Sequence, residues 1–210
     1  MLALFNIEQW LQDGGIFLLA AIVFAESGLF FGFFLPGDSL LFIAGFLSSD
    51  TGGGHLPALP IVALVTVIAA IVGDQVGYWF GAKVGPAIFD KPQSRFFNPA
   101  HVQRAHAFLE KYGPRTIVLA RFVPIVRTFA PIVAGVGKMN YRTFVVYNIA
   151  GGILWGAGVT SLGYFLGEIN FVKENIEIAI IAIVFVSVLP VVFELWKHRR
   201  EVAEAVDELT

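Results

Sequence analysis

Residues 114–137 read PRTIVLARFVPIVRTFAPIVAGVG. The stretch is apolar enough for a lipid bilayer, yet it carries Pro114, Pro124 and Pro131 together with Arg121 and Arg127. A proline inside a helix removes a backbone donor and clashes with the carbonyl four residues back. No single straight span tolerates this pattern. It reads as a re-entrant hairpin: two short helical arms that enter the membrane and return. Residues 14–47 pose the same problem. A spanning helix needs about 20 apolar residues, so this stretch is long for one span and short for two. Leu35-Pro36-Gly37-Asp38 lies inside it, and Pro36 and Gly37 both break helices. The reading is a first hairpin; one tilted span over 14–34, a loop at 35–38 and a second segment is the alternative.

The composition fits. Of 210 residues, 57% are hydrophobic and 14% charged, with a mean hydropathy of +0.75. Soluble domains run at about 45–50% apolar and about 25% charged. A soluble globule of this size cannot hide so much apolar surface, and a disordered chain is excluded by the same numbers. The net charge of −2 leaves no basic surface for nucleic acid. The absence of cysteine excludes disulfides and thiol chemistry.

Outward from the two hairpins, residues 1–13 read as a short interfacial amphipathic helix rather than a signal peptide: Glu8 and Asp13 interrupt them and no basic start precedes them. Residues 48–58 are a glycine-rich loop. Residues 59–82 read as a span, 83–113 as a solvated loop with a surface helix at 99–111, 141–167 as a second span and 176–196 as a third. Residues 197–210 are an acidic tail behind a basic stop. The fold class expected is an all-α integral membrane protein, an inverted repeat of two re-entrant hairpins plus about three transmembrane helices.

Charge placement supports that topology. If both hairpins return to the side they entered from, eleven of the fourteen Lys and Arg fall on one side. Lys173 falls on the other, and Arg121 and Arg127 lie within the membrane. The positive-inside rule makes the first side, with the C-terminus, cytoplasmic. A weak repeat agrees: Gly77-Tyr78-x-x-Gly81 recurs as Gly163-Tyr164-x-x-Gly167, and Ala44-Gly45 as Ala134-Gly135. Inverted repeats with broken helices mark secondary transporters, although glycines also serve simply to let helices pack closely.

Five ionisable residues fall in apolar stretches: Glu26, Asp38 and Asp74 in the first half, Arg121 and Arg127 in the second. Each costs about 2.5–3.5 kcal/mol at a helix centre on insertion scales, so they must pair, neutralise or line a wet cavity. A buried ion-pair network that fixes the fold is one reading; a functional site is the other. Two guanidinium forks suit phosphate or carboxylate. Carboxylates beside them can take or release protons, since desolvation favours the neutral form. The combination reads as an anion site coupled to protons.

In this order and spacing the motifs resemble the DedA (SNARE-associated, VTT-domain) membrane proteins over about residues 14–170. The residues are Glu26, Phe34-Leu35-Pro36-Gly37-Asp38, Gly73-Asp74-Gln75-x-Gly77-Tyr78-x-x-Gly81, Arg121-Phe122-Val123-Pro124-x-x-Arg127-Thr128 and Ala134-Gly135-x-x-x-Met139. The resemblance implies a bacterial inner-membrane protein with two opposed re-entrant hairpins. It implies dependence on proton motive force and on acidic and arginine residues matching Glu26, Asp38, Arg121 and Arg127. It also implies movement of a phosphate-bearing lipid: undecaprenyl phosphate for some members, phosphatidylethanolamine for others.

The expected function is a proton-coupled flippase of a lipid with an anionic phosphate head group, undecaprenyl phosphate first. Arg121 and Arg127 would clamp the phosphate, Glu26 and Asp38 would hold both arginines in its absence, and Asp74 would either stand behind them or serve a purely structural role. Pro36, Gly37, Pro124 and Pro131 would break the hairpins. A passive phospholipid scramblase and a proton-driven small-anion transporter are the alternatives. An enzyme is not expected: GxSxG, HExxH and GxGD are missing, and His55, His101, His106 and His198 lie in loops or the tail. No cofactor or metal is expected, and a homo-oligomer is left open.

Overall fold

The computed structural model describes residues 2–29, 37–50, 52–89 and 113–169. The surface helix expected at 99–111, the span at 176–196, the tail and Pro36 lie outside these residues. Among the described residues every regular element is helical. They are α1 (Leu2–Gly28), α2 (Gly37–Leu47), α3 (Leu59–Phe89), α4 (Arg115–Ala120), α5 (Pro124–Val136), α6 (Tyr141–Gly152), a π-helical turn (Ile153–Ala157) and α7 (Gly158–Gly167).

Within α1 the N-terminal segment and the first apolar arm are two helices in direct succession, separated by a kink at Gly15 (φ 57°, ψ −153°), a conformation that side chains with a Cβ resist. The kink falls at the boundary between the amphipathic and apolar stretches. The apolar arm Gly14–Gly28 and α2 are both too short to cross a bilayer at about 1.5 Å per residue. Every residue of α2 except Asp38 is buried.

Among the described residues, two helical runs are long enough to cross. Leu59–Val84 has a mean hydropathy of 2.1, and Tyr141–Gly167, which spans α6, the π turn and α7, has 1.4. Helix α3 continues to Phe89, seven residues beyond the expected end. Lys83 marks a charge near the membrane edge and not a helix end, because lysine is a good helix former. Ile61, Leu64, Ile68, Val72, Val76 and Trp79 form an exposed apolar stripe along α3 at helical spacing. Such a face would be a liability in water and suits lipid.

The break within 114–137 falls at Arg121–Val123. Val123 is extended (φ −119°, ψ 106°) because Pro124 excludes the residue before it from the helical region. Pro124 then opens α5 at its first position, where a missing N–H costs nothing. Pro131 does not break the chain as expected: α5 runs through it. Its side chain instead packs where α3 carries Gly77, and the fixed φ of proline is itself helical.

Packing exchanges the two halves. α2, from the first half, lies against α7, with Gly45 on the Thr160–Tyr164 backbone and Gly163 on the Phe42 backbone. α5, from the second half, lies against α3, with Gly135 on the Tyr78–Ala82 backbone and Gly81 on that of Ile132. The larger core gathers Leu19, Val23, Leu40, Phe42, Val62 and Trp155. A smaller one joins Tyr78, Ile117, Ala134 and Phe144. There Tyr78 stacks on Phe144 at 4.5 Å and donates to the Met139 carbonyl at 2.6 Å.

Candidate functional site

All five intramembrane charges are paired, in two groups. In the first, Arg127 in the opening turn of α5 meets Glu26 near the end of α1 and Asp38 at the start of α2. Its Nη1 donates to Asp38 Oδ1 at 2.8 Å, and its Nη2 donates to Glu26 Oε1. Glu26 lies near the end of α1 and Asp38 near the start of α2, so a single guanidinium ties the two helices together. Gly37 leaves room for this arrangement: a Cβ there would run into the Glu26 carboxyl. Trp155 completes the group. Its Nε1 donates to the same Asp38 oxygen at 2.7 Å, and the Arg127 guanidinium carbon lies 4.6 Å from the centre of its ring.

In the second group Arg121, at the break between α4 and α5, donates from Nη2 to Asp74 in the middle of α3 and to Asn148 Oδ1 on α6. Asn148 Nδ2 donates in turn to the Ile71 carbonyl at 3.2 Å. Gly151 and Gly152 lie beside the Arg121 side chain, where larger residues would press on it.

The pairing therefore differs from expectation. Glu26 and Asp38 hold Arg127 alone, and Asp74 is the direct partner of Arg121 and not a support behind the others. One arginine carrying two carboxylates and another carrying one satisfies all five charges. Two contributors, Asn148 and Trp155, are missing from the sequence reading because neither is ionisable. Their signal was the i, i+7 spacing on one helix face.

The groups are enclosed. Arg121 is 3% exposed, Arg127 5%, Glu26 1% and Asp74 4%; the side chain of Asp38, at 14%, is the most open of the five. Several buried polar atoms have no hydrogen-bond partner among the described residues: Nε of both arginines, Glu26 Oε2 and Ser39 Oγ. Buried polar groups normally find partners. The two Nε–H groups are thus donors in reserve, and a phosphate offers acceptors for them.

Taken together, the apolar spans, the exposed apolar faces and the internal ion pairs define a helical membrane protein with a charged interior. Residues 35–165 match the VTT domain family model. The chain is 47% identical over 189 residues to Protein DedA of Escherichia coli K12, covering 90% of this chain and 85% of that one. It is 49% identical over 191 residues to an uncharacterized membrane protein of Mycobacterium tuberculosis H37Rv, covering 86% and 81%. It is 44% identical over 207 residues to one of Mycobacterium leprae, covering 95% and 91%. No solved structure matches. This chain belongs to the VTT-domain (DedA) family of membrane proteins. Asp38, Asp74, Arg121, Arg127, Asn148 and Trp155 fall inside the matched domain; Glu26 lies just ahead of it.

Proposed function

We propose that this protein is a proton-coupled transporter that carries a phosphate-bearing lipid, undecaprenyl phosphate first, across the bacterial inner membrane. The observation that carries this reading is the sharing of one buried Arg127 between Glu26 and Asp38, with an Nε on each arginine that has no partner among the described residues. The two arginines and three carboxylates together carry one net negative charge when all are ionised. A phosphate monoester brings about −1.5 to −2. Its arrival on the guanidinium groups displaces the carboxylates, and in a medium of low dielectric the displaced groups take up protons. Release on the other side reverses the exchange, and the ion pairs re-form.

The finer architecture belongs to the same reading. The α1–α2 and α4–α5 pairs act as opposed re-entrant hairpins of an inverted repeat, and the reciprocal glycine contacts of α2 with α7 and α5 with α3 support this. The cytoplasmic C-terminus rests on the distribution of lysine and arginine. The enclosed charges correspond to an occluded resting state, so the lipid head group enters when Glu26 and Asp38 part from Arg127.

Proteoliposomes loaded with a polyprenyl phosphate test the proposal. Transport should be abolished by a protonophore, and affinity for the lipid should fall as pH rises from 5 to 8, because binding takes up protons. Protonophore-insensitive movement of zwitterionic phospholipids at the same rate would establish a passive scramblase. Uptake of a soluble anion that lipid does not inhibit would establish a small-anion transporter.

A further inference from the structure

Trp155 is the largest fully enclosed side chain of the described residues, 1% exposed, and it sits at the centre of the π-helical turn Ile153–Ala157. Such turns insert one extra residue into a helix and concentrate at functional sites. Burial of an indole N–H demands a partner. Here the partner is Asp38 Oδ1, the oxygen that also accepts from Arg127. The face of the same ring lies under the Arg127 guanidinium. One side chain therefore touches both members of the Asp38–Arg127 pair through two different kinds of contact.

This arrangement has a consequence for any exchange of partners. When an anion draws Arg127 away, Asp38 loses its charged donor, and a carboxylate left without one in a membrane interior is costly. The indole N–H does not move with the arginine. It leaves Asp38 with a donor until the carboxyl takes up its proton, and the ring face keeps the guanidinium flat as its in-plane N–H groups turn to the incoming oxygens. Building on the lipid-phosphate reading above, we propose that Trp155 is a positioning residue of the phosphate site. It keeps Asp38 partnered and Arg127 oriented while the carboxylates and the lipid phosphate change places.

The test uses the full chain in proteoliposomes with a polyprenyl phosphate. Trp155→Phe keeps the ring face and removes the N–H; transport should fall about tenfold, the scale of one hydrogen bond to a charged group. Trp155→Leu removes both contacts and should fall about a hundredfold. A second measurement separates positioning from packing. In a variant with Trp10, Trp79 and Trp196 changed to Phe, Trp155 is the sole tryptophan. Its emission should shift on adding the polyprenyl phosphate and stay fixed when Arg127→Gln is added, whereas a purely structural tryptophan would not respond to lipid. If the unaltered chain moves the lipid but Trp155→Leu moves it equally well, or the emission is blind to lipid, the positioning role is wrong and the transport reading stands. If the unaltered chain moves no phosphate-bearing lipid, the transport reading fails and this role fails with it.

Discussion

A buried charge is expensive alone and tolerable in company, and that asymmetry governs each residue of the site. Removing one member of a buried pair strands the other at about 3–5 kcal/mol, whereas replacing both can be neutral. Asp74→Asn should therefore lower stability on that scale, and adding Arg121→Met should restore much of the loss, as read by chemical unfolding in detergent. A double variant no more stable than Asp74→Asn would show that the pair does not act as a unit. Arg127→Lys should fare worse in function than in charge: an ammonium offers its donors from one nitrogen, without the planar fork by which two separate Nη atoms meet Glu26 and Asp38. Transport by Arg127→Lys should be lost although the net charge is unchanged. The presence of all five charges was legible in the sequence, because ionisable residues stand out in apolar runs. Their pairing was not, since which acid reaches which arginine depends on how α1, α2, α3 and α5 pack. Asn148 and Trp155 were passed over because an amide and an indole carry no charge and so do not stand out in an apolar run.

At the scale of the element, the break between α4 and α5 decides where the arginines point. Six residues on an unbroken helix turn through 600°, so Arg121 and Arg127 would face directions about 120° apart. Both are nonetheless buried, and the extended Val123 is what re-aims one relative to the other. Pro124→Ala lifts the restriction on Val123 and lets the helix run through. Helix content by circular dichroism should hold or rise, while transport falls at least about tenfold, within the range that a displacement near 1 Å costs. Unchanged transport with a continuous helix would show that the break is incidental. The break at Pro124 and the start of α2 at Gly37 were legible because proline and glycine act locally. The continuation of α3 to Phe89 and the passage of α5 through Pro131 were not. In both cases helix propensity or packing overrode a local signal. The π turn at Ile153–Ala157 has no sequence signature at all.

For the whole molecule, the short repeats Ala44-Gly45 and Ala134-Gly135 acquire a meaning that their brevity could not carry. Each places its glycine on the long helix of the opposite half: Gly45 on the backbone at Thr160 and Tyr164, Gly135 on that at Tyr78 and Ala82. Each contact includes the tyrosine of the repeat Gly-Tyr-x-x-Gly, Tyr164 on α7 and Tyr78 on α3. In membranes, where lipid tails are as apolar as leucine, close backbone approach at small residues drives helices together. If the two halves are reciprocal, the two contacts carry comparable shares of the stability. Gly45→Val and Gly135→Val should then each force backbones apart and cost about 1–3 kcal/mol or more, as overpacking does, with midpoint losses of similar size in thermal unfolding. Gly158 supplies the comparison, because nothing lies within 4 Å of where its Cβ would stand. Gly158→Ala should be neutral or slightly stabilising, since alanine is the better helix former by about 1 kcal/mol. A large loss at Gly135 with none at Gly45 would mean that α5 alone anchors the bundle, and that the repeats reflect ordinary close packing rather than two exchanged halves.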